Sequence, residues 1–153
     1  MLSQTENIQE HRLVNRLRSY WDRLRETDDL PNILKFNKGN ISDIWENCLL
    51  IKLVSDGTNK VYNVEYTGRE LLSAVGSDLK GKYFSAAGSN DLFSRELISA
   101  LNNSIEKKEF TLSEGTFPNN KGKIVKYRDC IMPFKDGKGE ISVLVVGISW
   151  RAF

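Results

Sequence analysis

Few side chains in this sequence could carry out chemistry, and their spacing argues against an active site. His11 is the only histidine. Ser-His-Asp and Cys-His catalysis need a base held by a framework, and His11 falls on the polar N-terminal part of a predicted helix without one. Cys48 and Cys130 are the only cysteines. They lie far apart, and no His/Cys cluster has zinc-ligand spacing. The adjacent carboxylates Asp28 and Asp29 sit in a polar loop, where solvation is their ordinary fate. Tyr127 and Asp129 are the one pair that could be nominated for acid–base work. As alternating strand residues they read more simply as packing plus a surface charge. Gly76-Ser77-Asp78-Leu79-Lys80-Gly81-Lys82 has the G-x-x-x-x-G-K spacing of a phosphate-binding loop. The position that must be Ser or Thr to hold magnesium is Tyr83, and the segment follows a helix instead of a strand. No catalytic residue, metal site or cofactor is expected, and the chain reads as a binding or relay protein.

Two groups of residues are candidates for binding. Tyr62, Tyr66, Leu97, Phe110 and Tyr127 could line a pocket between a sheet and a long helix and take a small apolar or aromatic ligand. The plainer reading is that they pack as core. Buried tyrosine hydroxyls need partners, which suits a polar group or a trapped water. Leu13, Leu17, Tyr20, Trp21 and Leu24 form the apolar stripe of an N-terminal helix and are candidates for a dimer or partner interface. Arg12, Arg16 and Arg23 flank the stripe on one side, Arg18 and Arg25 on the other. They could snorkel around a buried stripe, or meet an acidic partner or anionic membrane. Asp22 and Glu26 on the polar face favour the first reading, so no membrane association is expected.

The elements that position these residues follow from periodicity. With 153 residues, 40% of them hydrophobic and 27% charged, the chain suits a single domain, residues 1–153, with one sizeable core. A formal net charge of +2 is too small to argue for nucleic acid. No apolar run spans a bilayer and the N-terminus has no apolar signal core, so a cytoplasmic location is expected. Residues 1–8 read as frayed, followed by a helix over 9–27 that ends before Pro31. Ser42 reads as the cap of a short helix carrying Ile44 and Trp45.

Strands are predicted over 48–54 and 60–67, joined by a hairpin turn at 55–59. A short helix at 68–75 and a loop at 76–81 follow. Gly76, Asp78 and Gly81 are the structural residues of that loop, ahead of tight packing by Tyr83 and Phe84. Asn90 or Asp91 caps a long helix that ends near Lys108 and carries Phe93, Leu97, Leu101 and Ile105. Three hairpin-linked strands close the chain, at 109–117, 124–134 and 141–150, which predicts an antiparallel sheet in an α+β domain. Tyr62, Val64 and Tyr66 alternate and are expected on one face. The first and last strands are apolar on both faces, so they are expected in the middle of the sheet with both faces covered. The long helix can cover one face. The N-terminal helix, or a second subunit, must cover the other.

These residues resemble a family. Leu17, Tyr20-Trp21 and Leu24, then Tyr62-x-Val64-x-Tyr66-Thr67-Gly68-Arg69-Glu70-Leu71, then Gly76-x-Asp78-Leu79-x-Gly81-Lys82-Tyr83, and the ending Tyr127 … Ile131-Met132-Pro133-Phe134 … Val146-Gly147-Ile148 resemble small bacterial single-domain proteins with a PAS-like fold. The resemblance covers residues 17–150. It implies a five-stranded antiparallel sheet of order 2-1-5-4-3, helices on one face, and a flanking N-terminal helix often used for dimerisation. It also implies a sensory or regulatory module acting through a ligand, a homodimer or a separate signalling protein. Neither cysteine fits the Asn-Cys-Arg motif of light-sensing members, and the long helix lacks the histidine of haem-binding ones. Flavin and haem are therefore not expected.

Overall fold

The computed structural model describes residues 4–55, 60–86, 88 and 91–153, with side chains from residue 12 onward, Ser55 excepted. The expected fraying of the first three residues, the hairpin turn at 56–59, the side chain of His11 and the capping alternative Asn90 lie outside the described residues.

The described residues form three α-helices and six strands: α1 (Gln4–Arg25), β1 (Cys48–Ser55), β2 (Val61–Thr67), α2 (Arg69–Val75), β3 (Tyr83–Ser85), α3 (Leu92–Lys107), β4 (Thr111–Pro118), β5 (Ile124–Lys135) and β6 (Ile141–Ala152). Three single 3-10 turns, Ile33–Lys35, Lys38–Ile41 and Trp45–Asn47, connect α1 to β1. Helix α1 begins five residues before the expected start at Gln9 and ends at Arg25, where Glu26 takes a positive φ of 55°. Ser42 follows one 3-10 turn as its C-terminal flank instead of opening a helix. Asp91 caps α3, its carboxylate accepting from the Ser94 backbone N–H at 3.0 Å.

The sheet is antiparallel in the order β3-β2-β1-β6-β5-β4. β1 and β6 occupy its centre. The expected order of five strands is corrected by one addition, the edge strand Tyr83–Ser85, which pairs with β2. A three-residue strand leaves almost no alternation to read. This strand also corrects the expected packing of Tyr83: Phe84 is buried, whereas Tyr83 is 64% exposed on the edge.

Each face of the sheet carries its own core. On one side α2 and α3 cover Leu49, Ile51, Leu144, Val146 and Ile148 with Leu71, Phe93, Leu97 and Leu101. On the other, α1 and the 3-10 turns cover Cys48, Cys130, Met132, Phe134 and Val145 with Leu13, Leu17, Tyr20 and Trp21. Leu17 and Tyr20 are no more than 1% exposed. The candidate interface residues Leu13, Leu17, Tyr20, Trp21 and Leu24 are thus spent on the chain's own sheet, Leu24 at its margin. Two apolar sheet faces need two covers, and α1 supplies the second. The Trp21 indole Nε1 donates to the Pro133 carbonyl at 2.8 Å, and the Tyr20 hydroxyl both donates to the Asn37 carbonyl and accepts from its N–H.

The arginines ring this buried stripe. Arg16 donates to Asp43 at 2.7 and 3.1 Å. The Arg18, Arg23 and Arg25 guanidinium groups lie over Phe110, Tyr20 and Trp21 at 4.4, 5.6 and 5.1 Å. Among the described residues no helix is long and apolar enough to cross a membrane.

Candidate functional site

The five candidate pocket residues divide between the two faces. Tyr62, Leu97 and Tyr127 join the core under α3. Phe110 lies in the core under α1, and Tyr66 packs against that core. The cause for Tyr66 is a β-bulge. Leu50 pairs with Tyr66 and Ile51 with Val64, so Glu65 is an extra residue on β2. The bulge reverses the alternation beyond it, and Tyr66 leaves the face of Tyr62 and Val64. It stacks on Trp45 with ring centroids 4.7 Å apart. Its hydroxyl donates to Glu46 at 2.8 Å. Burial, then Glu46, pushes the phenol up to about 12. The Glu46 carboxylate also accepts the Arg69 backbone N–H at 2.9 Å, and these bonds hold it below the usual carboxylate range.

Under α3 aromatic side chains pack together. Phe93, Phe117 and Tyr127 form an aromatic trio with centroids 4.8 to 5.8 Å apart. Two tyrosine hydroxyls reach up to the helix: Tyr62 donates to Asn102 at 2.5 Å and Tyr127 to Glu96 at 2.6 Å. Burial raises both phenols well above their ordinary value, with Glu96 adding to the effect on Tyr127. Glu96 reaches its partner over Gly115 of β4, where a Cβ would overlap the carboxylate and lie 2.6 Å from the Tyr127 oxygen. A larger side chain there would have to push the Glu96 carboxylate away from Tyr127.

Asp129 is the residue that sequence reasoning misplaced. Read as a surface charge, it is 3% exposed on the α3 side of the sheet. Its β4 partner Ser113 supplies the hydroxyl that bonds it. Burial raises the Asp129 carboxyl, Ser113 opposes the shift and Glu96 adds to it. The neighbouring apolar pattern could have exposed the error, since Val125, Tyr127 and Ile131 share its face and are all buried. Tyr127 and Asp129 are each bonded to a different partner and do not form an acid–base pair.

The loop residues act on the backbone. Gly76 and Gly81 hold φ values of 93° and 83°, and Asp78 accepts the Lys80 N–H at 2.9 Å. The two thiols are both free and buried. Cys48 and Cys130 each pair with Gly147, from opposite sides of β6. Two strand spacings put their Cα atoms about 10 Å apart, beyond the roughly 7 Å a disulfide can bridge. Burial pushes both thiols up, Cys130 to about 12. Among the described residues no group of three His, Cys, Asp or Glu side chains is placed to hold a metal ion.

A cleft of about 830 Å³ opens between the start of the described α1 side chains and β4–β6. Its lining includes Arg12, Asp43, Lys126, Ser149 and Arg151, and extends to Glu96 and Tyr127. Tyr127 is the only candidate pocket residue that it touches.

No curated protein sequence matches the chain. Its structure is similar to a light-oxygen-voltage domain studied with a flavin analogue, at 12% identity and a TM-score of 0.52, over 78% of this chain and 88% of that one. It is also similar to the dark structure of the blue-light photoreceptor Aureochrome1 LOV, at 16% identity and a TM-score of 0.51, over 71% and 78% of the two chains. At such identities the likeness concerns the fold alone. The sequence itself carries the stronger match, since residues 9–148 fit the PAS domain family and the chain therefore belongs to it.

Proposed function

We propose that residues 1–153 form one sensory and regulatory PAS module of the small bacterial, cytoplasmic kind, acting through protein–protein interaction. It relays a change on the α3 side of the sheet to α1 on the other side. One arrangement supports this reading. Asp129 and Cys130 are consecutive on β5 and face opposite ways, and their β6 partners are Ile148 and Gly147. The strand segment that carries the polar cluster under α3 is thus also the seat of α1. The output is a partial lift of α1, which frees Leu13, Leu17, Tyr20, Trp21 and Leu24 for a second copy or a separate signalling protein.

Tyr127→Phe tests the relay by removing the hydroxyl that ties β5 to α3. Amide hydrogen exchange in α1 is expected to speed up in that variant. Unchanged α1 exchange alongside faster α3 exchange sinks the relay.

The open cleft favours a second reading, a small-molecule binding protein without signalling output. Native mass spectrometry of the protein as isolated separates the two. A bound small molecule supports the binding protein, and a bare protein supports the signalling module.

A further inference from the structure

Asp129 and Glu96 are two carboxylates on one side of the sheet. Every element packed around Asp129 contributes to its surroundings. β4 presents Ser113, whose hydroxyl bonds it. α3 presents Glu96, which accepts the Tyr127 hydroxyl. β5 itself presents Tyr127, two residues away on the same face, and the Cys130 thiol on the opposite one. β6 presents Ile148, directly paired with it, and Trp150. Asp129 is 3% exposed, so burial is the main cause that raises its carboxyl, and Glu96 adds to it. Burial disfavours the charged form of a carboxylate, and a like charge nearby adds to that.

We propose that Asp129 and Glu96 make the seating of α3 on β4 and β5 depend on a proton: the helix is held most firmly while Asp129 carries it, and ionisation of Asp129 beside Glu96 loosens the first turns of α3. This depends on the relay reading only for its output at α1. The linkage itself stands on the cluster.

The direction of the effect follows from the burial of Asp129, which raises its carboxyl. Unfolded aspartate titrates near about 3.9. A folded value above that gives a contribution that is complete below about 3.9 and is lost as pH rises through the folded value. Asp43, bonded by Arg16, Glu46, bonded by the Arg69 N–H, and Asp91, which caps α3 through Ser94, are all held low. They act oppositely and weaken the fold as pH falls, so the difference between the parent and Asp129→Asn isolates Asp129.

The test is a carbon-13 carboxyl titration of the full chain with hydrogen exchange across the same pH range. The Asp129 carbon is expected to titrate above the ordinary aspartate value. After correction for the intrinsic base-catalysed exchange rate, the opening equilibrium in the first turns of α3 should rise with pH, up to about tenfold for each pH unit of that displacement. Asp129→Asn should flatten this rise. Glu96→Gln should move the Asp129 titration to lower pH, while its amide oxygen still accepts the Tyr127 hydroxyl. An ordinary Asp129 titration, or a rise that survives Asp129→Asn, overturns the proposal. If Asp129→Asn does not fold, the Glu96→Gln titration decides, and an unmoved Asp129 value overturns it. A pH-dependent α3 with a pH-independent α1 supports the proton linkage and removes the relay.

Discussion

Leu17 rests on the backbone of Gly147. A Cβ at residue 147 would overlap Leu17 Cδ1 and stand 3.1 Å from Cys130 Sγ. Gly147→Ala should therefore push α1 off the centre of the sheet. Overpacking of this kind costs about 1–3 kcal/mol, readable as a lower urea midpoint. The same variant should let thiol reagents reach Cys48 and Cys130 sooner than in the parent. An unchanged midpoint would mean that α1 slides aside without loss.

Trp21 anchors α1 through its ring and through its bond to Pro133. Trp21→Ala should cost about 3–5 kcal/mol. Because the anchor is intramolecular, the melting temperature of the parent should not change on dilution, whereas a dimer anchor makes it rise with concentration. A concentration-dependent melt would return the stripe to a subunit interface.

Gly81 separates backbone strain from crowding. Its φ is 83°, yet a Cβ there would meet nothing within 4 Å. Gly81→Val should cost about 1 kcal/mol or more from the left-handed backbone alone. Gly81→Asn should recover part of the loss, since Asn tolerates that region. Equal melting of all three proteins would remove the turn from the account.

The buried phenols predict the alkaline limb of stability. Tyr66 is pushed up to about 12, and Tyr62 and Tyr127 are also raised. A raised folded value means that the unfolded chain ionises first. The contribution of these groups is present below the ordinary tyrosine value near about 10 and is lost as pH climbs past it. Ultraviolet titration should show several tyrosines ionising only as the protein unfolds. Full ionisation of the native state near the ordinary value would contradict their burial.

Much of the fold was legible because it depends on long apolar patterns. β1 and β6 are apolar on both faces, which placed them centrally without any knowledge of their partners. The stripes of α1 and α3 identified the two covers. What escaped were features governed by one residue or by a neighbour distant in sequence. β3 has three residues. The candidate pocket failed at Tyr66 because alternation counts residues and cannot register an extra one. Phe110 was assigned to the wrong face because it precedes β4 in the connection and its direction is set by Arg18 and Trp21 of α1. Asp129 was read by its charge, although Val125, Tyr127 and Ile131 already marked its side of the strand as interior.

The bulge at Glu65 also bears on where the chain can change length. Val64 already faces α3, Tyr66 faces α1, and Thr67 pairs with Leu49 on the α3 side. With Glu65 removed, these three would alternate regularly and each would keep its present face. Loss of Asn63 would instead turn Val64 away from the core that holds it. β2 thus contains one spare position in its count, and a family of such chains could gain or lose a residue there without exchanging the contents of its two cores.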